Sequence, residues 1–370
     1  MGFDPAKPFN LLPKLPPSVS FETPAVFRAI LPAARTLARL DGYLETLPNP
    51  SILLNNLILQ EARASSEIEN IFTTFDDVSR AFASREAVSS PEVKEVLQYR
   101  QALWEGFEKI KSQGMMRLSG VLEIHTHLMG HTSEIRRMPG TALRSNAAEP
   151  PIYTPPEGES HVRDLLSDWE RFFHEPGSMD PLIALAIQHY QFEAIHPFYD
   201  GNGRTGRILN VLHLCLHDLL RWPVLYLSGN IITRKTEYYR RLLAVTRDGD
   251  WEGWVVYFLE VVAETAKDTL DKAERIQIAL REAVELIRRE KPKIYSRELV
   301  EVLFSQPCCK VAHLVDANIA SRQTAADYLK ALEDMGLLRS EKSGRELLFL
   351  NIPLLNSFKQ GHGQDNVSKK

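Results

Sequence analysis

The chain has 370 residues, a formal net charge of −4, and apolar and charged fractions of 44% and 25%. This length predicts two or three domains, and the composition is that of a folded globular protein without a global basic surface for nucleic acid or anionic membranes. Two of its three cysteines, Cys308 and Cys309, are adjacent and poorly placed for a bridge with each other, while Cys215 lies in an apolar stretch. With no apolar signal core at the N-terminus and no run long enough to span a bilayer, we expect a reduced, cytoplasmic protein without membrane contact.

The N-terminal third of the chain predicts an arm followed by helices. Residues 1–20 are proline-rich and predict an extended arm, which either lies on the domain, reaches a partner or is a loose terminus. The helical pattern of residues 24–47 contains Pro32, which fits best in the first turn of a helix, so a separate short turn is expected before it. Another helix is predicted at residues 50–71, and two amphipathic helices at residues 76–113.

Two groups of histidines could suggest a metal site, but neither has the full ligand spacing of one. His125, His127 and His131 lie close together on a predicted helix, but no cysteine or acidic residue completes a ligand set, and His131 also fits a polar helix end. His213 and His217 are four residues apart, but the glutamate of HExxH is missing, which argues against a zinc hydrolase. Between these two groups, the proline-rich residues 138–156 predict loop and short strand.

The densest cluster of chemical groups is HPFYDGNGRTGR at residues 196–207, which lies between two strongly apolar helical stretches. Arg204 and Arg207 fall on one face of the first turn of the second helix, where the helix dipole disfavours cations, so they call for a bound anion. Glycines let backbone amides close on such an anion, and a polyphosphate is the natural candidate. Asp200 could hold Mg²⁺ as its single protein carboxylate, and His196 is the base near neutral pH.

The C-terminal part predicts a second folded unit. A long polar helix ends near Pro292, and residues 294–352 predict three short helices and a hairpin that turns at Ser343 and Gly344. This is the pattern of a winged helix-turn-helix, with Arg322, Gln323 and Thr324 placed to face DNA. Because basic residues do not outnumber acidic ones here, a protein-contact or dimerisation role is at least as well supported as DNA binding.

Residues 196–207 match every fixed position of H-x-F-x-[D/E]-G-N-G-R-x-x-R, so the chain resembles the Fic family of mostly protein adenylyltransferases, which move AMP from ATP onto a protein hydroxyl. The resemblance implies a mainly all-α fold, a Fic-type helical bundle with a small β-hairpin flap, joined here to the C-terminal winged helix-turn-helix domain. It implies that His196 is the general base, that Phe198 anchors the loop and that Asp200 binds Mg²⁺. It assigns the binding of ATP to Gly201, Asn202, Gly203, Arg204, Thr205, Gly206 and Arg207. Tyr238 and Tyr239 fit either an adenine contact or core packing.

Two further stretches extend the resemblance. Ser65, Glu69 and Asn70 fit the inhibitory motif [S/T]-x-x-x-E-[G/N] of Fic chains with an N-terminal inhibitory helix. By that resemblance Glu69 pairs with Arg207 and takes the place of a γ-phosphate, in cis or across a homodimer. PGTALR and YTPPEG, in residues 138–156, resemble the two ends of the flap that pairs with a target segment, although the SNAAEPP between them departs from the usual apolar pattern.

These observations predict a domain division and leave three functions open. The division is residues 1–48 as arm and first helix, 49–265 as catalytic core with an inhibitory helix at 50–71, 266–293 as connecting helix, 294–355 as winged-helix domain and 356–370 as disordered tail. The first function is AMP transfer from ATP with Mg²⁺ to Ser, Thr or Tyr hydroxyls of target proteins, including the chain itself. The alternatives are AMP removal at the same site and a DNA-binding regulator whose core senses nucleotide.

Overall fold

The structure is a computed structural model that describes residues 3–47, 49–83, 90–138, 142–144, 149–343 and 346–359. Its helices are α1 Pro24–Glu45, α2 Ser51–Ile68, α3 Phe75–Ala83, α4 Pro91–Gln113, α5 Leu118–Met129, α6 Glu159–His174, α7 Pro181–Ile195, α8 Asn202–Leu216, α9 Leu227–Thr233, α10 Lys235–Asp248, α11 Trp251–Glu290, α12 Arg297–Phe304, α13 Val311–Asp316, α14 Arg322–Asp334 and α15 Ile352–Lys359. Three strands, β1 Cys308–Cys309, β2 Leu338–Ser343 and β3 Glu346–Asn351, form an antiparallel sheet in the order β1-β3-β2. The mainly all-α prediction is confirmed, and no helix among the described residues is both long and apolar enough to cross a membrane.

Helices α7 and α8 form the centre of the bundle because their sequences are apolar on nearly every side. Almost all of their residues are buried, and α4, α6 and α11 pack around them. Two buried tryptophans attach the outer helices to α7: the indole of Trp169 donates to Gln188 O at 3.0 Å, and that of Trp254 donates to Ala186 O at 2.7 Å. The loop between α7 and α8 is therefore held at both ends by the most deeply packed part of the protein.

Helix α1 corrects the prediction made from Pro32. The helix runs without a break from Pro24 to Glu45, with Pro32 in its interior. A proline inside a helix costs about 3 kcal/mol, but the buried stripe of α1 continues on both sides of Pro32 and packs along α11. Burial of that stripe outweighs the lost backbone hydrogen bond, so no separate turn forms before Pro32.

The proline-rich arm lies on the domain in its described residues. The Phe9 N–H donates to Thr154 O at 2.9 Å, the Gln191 side chain donates to Pro13 O at 2.9 Å, and the Leu15 N–H donates to Asp168 Oδ2 at 2.7 Å. The arm thereby supports the second limb of the predicted flap. Of that flap, the described residues show one antiparallel bridge between Leu143 and Tyr153, while residues 139–141 and 145–148 lie outside the described part.

The C-terminal elements follow the predicted order, with a short strand inserted after the first helix. The proposed boundary at residue 265 falls inside α11, which is one continuous helix of 40 residues. Disorder was expected from residue 356, but residues 356–359 belong to α15. This helix is packed, because Leu354 and Leu355 are buried and the ring centroid of Phe358 lies 5.1 Å from that of Phe75. Residues 360–370 and the hairpin residue Gly344 lie outside the described residues.

The C-terminal elements also contact the helices around the predicted inhibitory motif. The Asn56 side chain on α2 donates to Phe304 O at 3.1 Å, and Arg80 on α3 forms an ion pair with Glu341 at 2.8 Å. At the start of α14, Arg322 and Gln323 are exposed, and the Gln323 amide donates to Asp327 at 3.3 Å.

Candidate active site

The predicted base stands at the end of α7 in a strained position. His196 follows the last residue of the helix and has φ of 50°, which is uncommon for a residue with a side chain. The buried guanidinium of Arg136 holds this turn, because it donates to His196 O at 2.7 Å and to Ile195 O at 3.1 Å. A cation at the carboxyl end of a helix is electrostatically favoured. The sequence carried no signal for Arg136, since the contact spans 60 residues.

His125 fixes the middle of the loop. Its ring stacks on Phe198 with centroids 3.7 Å apart, its Nε2 is hydrogen-bonded to Asp200 O at 2.8 Å, and its Nδ1 to Ser133 Oγ at 2.6 Å. Both ring nitrogens are therefore engaged. Among the described residues, no group of three or more His, Cys, Asp or Glu side chains is placed to hold a metal, so the histidine metal site is not formed. Phe198 is buried, as expected of an anchor.

Asn202 and Thr205 close the loop from inside. The Asn202 side chain accepts from the Phe198 N–H at 2.8 Å and donates to Phe198 O at 2.9 Å. The Thr205 hydroxyl donates to Gly201 O at 2.9 Å, and Gly201 itself has φ of 74°. These side chains thus shape the turn whose amides begin α8, and glycine meets the positive φ at Gly201 without strain.

The two arginines of the signature have different surroundings. Both are buried, but Arg204 pairs with Glu95 on α4 at 2.5 Å and does not line the cavity beside the loop. Arg207 lines it, and its Nε donates to Ser65 Oγ at 2.8 Å while its Nη2 donates to Ser65 O at 2.9 Å and to Glu69 Oε1 at 2.8 Å. Burial alone would lower the pKa of Arg207, but the Glu69 carboxylate raises it above the usual value.

The end of α2 shows why Ser65, Glu69 and Asn70 occur at this spacing. Helix α2 ends at Ile68, three residues before the predicted end, so Glu69 is the capping residue. Asn70 then takes φ of 64°, a conformation that asparagine and glycine tolerate best, and this turns the chain away after the carboxylate. Burial would raise the pKa of Glu69, but the charge and hydrogen bond of Arg207 outweigh it and leave the pKa below its usual value. A side chain at Gly203 would overlap Glu69 Oε1, so that glycine makes room for the pair.

Buried contacts hold α2 in place beside the loop. Glu61 is buried, and its carboxylate accepts from Tyr99 OH at 3.0 Å, from the Ser228 N–H at 2.9 Å and from Ser228 Oγ at 2.5 Å. At the end of the helix, Lys235 donates to Ile68 O at 2.6 Å. The position of Glu69 therefore depends on polar contacts with α4, α9 and α10.

We expect Glu61→Ala to lower the free energy of unfolding by about 3 kcal/mol, because it leaves three buried donors without an acceptor. Denaturant titration measures this change. Glu67→Ala is the matched control: Glu67 is on the same helix and has a partly exposed pair with Arg63 at 2.9 Å, so its loss should cost less than about 1 kcal/mol. Equal losses in the two variants would contradict the anchoring role of Glu61.

A cavity of about 580 Å³ lies against the loop, within the range of small-molecule sites. Its walls include Glu69, Glu193, His196, Gly203, Arg207, Lys235, Tyr238 and Tyr239. Tyr238 is buried and hydrogen-bonded to His189 at 2.7 Å, so it belongs to the core as well, whereas Tyr239 is 45% exposed. A wider depression of about 650 Å³ near His174 and His217 contains no signature residue. The cavity beside the loop is therefore the candidate site.

The environment of His196 keeps its imidazole neutral. Burial lowers the pKa of His196 to about 4; the hydrogen bond to the Glu193 carbonyl opposes this effect, and the charge of Arg136 adds to it. Since folding lowers this pKa, protonation favours the unfolded chain, and His196 costs stability as the pH falls from about 6.5 to about 4. We expect the His196 ring, assigned by its loss in His196→Ala, to titrate below pH 5 by NMR. A midpoint near 6.5 would show an imidazole open to water.

Asp200 is the candidate Mg²⁺ ligand. Its side chain is 76% exposed, and its Oδ1 accepts from the Gly201 N–H at 2.6 Å, which leaves Oδ2 for a ligand, 3.9 Å from Arg204. A single carboxylate is a sufficient protein contribution for Mg²⁺ when phosphate oxygens and water complete its coordination. The donor set fits a metal that arrives with a nucleotide.

Three family models match most of the chain. Residues 27–108 match the family model described as Fic/DOC family N-terminal, residues 116–214 the Fic/DOC family, and residues 280–354 the C-terminal domain of protein adenylyltransferase SoFic-like. The protein adenylyltransferases Fic of Drosophila ananassae and Drosophila melanogaster are each 30% identical over 159 residues, or 42% of this chain. The match spans only 28% and 29% of those two proteins.

Solved structures share the fold at low sequence identity. A Fic family protein from Desulfovibrio desulfuricans is similar with a TM-score of 0.56 and 19% identity over 90% of this chain and 98% of that one. Fic-1 from C. elegans gives a TM-score of 0.53 and 20% identity over 68% of this chain and 74% of that one. With three matching models that together cover more than half of its length, and with the complete signature at the loop between α7 and α8, the chain belongs to the Fic/DOC family.

Proposed function

We propose that the protein is an ATP-dependent protein adenylyltransferase that Glu69 holds in an inhibited state. The observation that carries this proposal is the Glu69–Arg207 pair at 2.8 Å, inside a cavity of about 580 Å³ that also contains His196. A buried guanidinium beside the first turn of a helix is a binding site for an outer phosphate of ATP. The Glu69 carboxylate occupies the place next to Arg207 that such a phosphate would take, and its negative charge would repel the phosphate.

The proposed reaction uses groups that the loop already positions. ATP binds with its outer phosphates at Arg207 and the amides at the start of α8. The neutral imidazole of His196 takes the proton of a target hydroxyl, whose oxygen forms a bond to the α-phosphorus. The bond from that phosphorus to the bridging oxygen breaks, and pyrophosphate leaves. Mg²⁺, held by Asp200 and the phosphates, would neutralise charge on the leaving group.

The flap is the proposed docking site for the target. The described bridge between Leu143 and Tyr153 lies at the cavity, and Ile152 beside it is 40% exposed. An extended target segment that pairs along this hairpin would bring its hydroxyl to His196. The Glu69–Arg207 contact occurs within one chain, which supports inhibition in cis.

The test is incubation with Mg²⁺ and labelled ATP, read by intact mass, for the wild type, Glu69→Gly and the double variant Glu69→Gly, His196→Ala. We expect Glu69→Gly to gain the mass of one or more adenylates, and the double variant to gain none. A gain of one phosphate would mean a different transfer reaction. Absence of both ATP binding and mass gain in Glu69→Gly would remove the enzyme proposal.

A further inference from the structure

Glu193 is a cavity residue that the proposed reaction does not use. It lies on the last turn of α7, three residues before His196, and its backbone carbonyl is 3.4 Å from His196 Nδ1. Its side chain lines the same cavity as Glu69 and Arg207, and its carboxylate oxygen Oε1 is buried and has no hydrogen-bond partner among the described residues. Buried polar atoms without a partner are rare and costly, about 1–3 kcal/mol each.

The neighbours of Glu193 explain why this oxygen is unpaired. Oε1 packs against Gly206 of α8, where a side chain would overlap it, and no donor of the described residues bonds to it. Arg207 is the nearby cation, but its Nε and Nη2 donate to Ser65 and Glu69. Burial raises the pKa of Glu193 to about 7, although Arg207 opposes this effect. An acceptor in this position suits a neutral ligand group that donates hydrogen bonds, and it disfavours a phosphate.

The composition of the cavity indicates which ligand group comes near Glu193. Arg207 and Gly203 mark the phosphate end, whereas Tyr239, Leu242 and Leu243 supply an aromatic and apolar wall that suits a base. Glu193 adjoins His196, where the α-phosphate reacts, and the sugar is the part of a nucleotide attached directly to that phosphate. Its two neighbouring hydroxyls are donors that a carboxylate accepts well.

We propose that Glu193 accepts hydrogen bonds from the ribose hydroxyls of the bound nucleotide and makes the site selective for ribonucleotides over deoxyribonucleotides. This inference depends on the proposed binding of ATP. It concerns a different part of the ligand from the phosphate contacts of Arg207, so each can fail separately. Glu193 is then a specificity-determining residue, and the missing side chain of Gly206 leaves room for its carboxylate.

The experiment measures dissociation constants by calorimetry with Mg²⁺ and four ligands: ATP, 2′-deoxy-ATP, 3′-deoxy-ATP and inosine triphosphate. The full-length Glu69→Gly protein is the reference, because its phosphate site is open. Glu193→Ala and Glu157→Gln are each made in that background. Glu157 is an exposed carboxylate near the flap that does not line the cavity, so it is the matched control.

We expect the reference and the Glu157→Gln control to bind ATP about tenfold or more tightly than at least one deoxy analogue, as the loss of a hydrogen bond to a charged group implies. Glu193→Ala should bind ATP and both deoxy analogues with equal affinity. A preference for ribose that persists in Glu193→Ala would overturn the inference while leaving ATP binding established. Loss of discrimination against inosine triphosphate alone would assign Glu193 to the adenine amine instead. Failure of the reference to bind ATP would remove both proposals.

Discussion

Replacement of Glu69 by glycine is expected to raise the incorporation of labelled AMP into the protein itself by about ten- to a hundredfold. The Glu69 carboxylate makes a hydrogen bond to a charged partner, Arg207, at 2.8 Å, and such bonds contribute about 1.5–3 kcal/mol, which corresponds to this range. Removing the carboxylate frees one N–H donor of the Arg207 guanidinium. It also removes a negative charge from the cavity. Arg207 keeps its two contacts with Ser65, so the guanidinium stays in position to meet a phosphate.

The matched control is Glu67→Gly, which removes another glutamate from the end of the same helix. Glu67 pairs with Arg63 outside the cavity, so this variant loses a charge and gains a glycine without opening the phosphate site. We expect its incorporation of AMP to equal that of the wild type. If both variants rose equally, general loosening of α2 rather than removal of the Arg207 partner would be responsible.

The second large effect is loss of activity when His196 is replaced. In the Glu69→Gly background, His196→Ala should lower the rate of AMP incorporation by about 100- to 10,000-fold, which is the usual contribution of a positioned general base. The imidazole lines the cavity, and burial lowers its pKa to about 4, so it is neutral and able to take a proton at pH 7. ATP binding should change little, because Arg207 and the loop amides remain. Rates come from single-turnover incorporation and affinities from calorimetry.

His127→Ala in the same background is the control for loss of an imidazole. His127 lies on α5, where it contacts Glu105 at 2.8 Å, and it does not line the cavity. We expect full activity from this variant. A His196→Ala protein that still transferred AMP at the rate of its parent would exclude His196 as the base, whatever the outcome for Glu69.

The local patterns of the sequence were sufficient for most of the helical segments and for the motif residues proposed for the site. Apolar residues on all sides of the stretches before and after residues 196–207 predicted central helices, and α7 and α8 are those helices. The resemblance of Ser65, Glu69 and Asn70 to the inhibitory motif of the family predicted a partner for Arg207, and Arg207 donates hydrogen bonds to both Ser65 and Glu69. The helical pattern and each motif depend on residues a few positions apart, so periodicity and motif spacing record them. The contact between Glu69 and Arg207 spans 138 residues, and only the family resemblance indicated it.

Other features depend on residues far apart in the chain, and the sequence contained no signal for them. Glu95 pairs with Arg204 across 109 residues, and His125 holds Asp200 O across 75. Pro32 was assigned to a helix start on local rules, yet packing of α1 along α11 keeps it inside one helix.

By itself, then, the sequence indicated the candidate groups of the site and the helical segments, because charge, backbone freedom and apolar periodicity are properties of neighbouring residues. Only the tertiary structure decided that Arg207 rather than Arg204 faces the cavity, that Glu61 fixes the helix ahead of Glu69, and that Glu193 lines the cavity with one carboxylate oxygen left unpaired. These are outcomes of packing between distant helices, where burial sets both the partner that each polar group finds and the energy of leaving it without one.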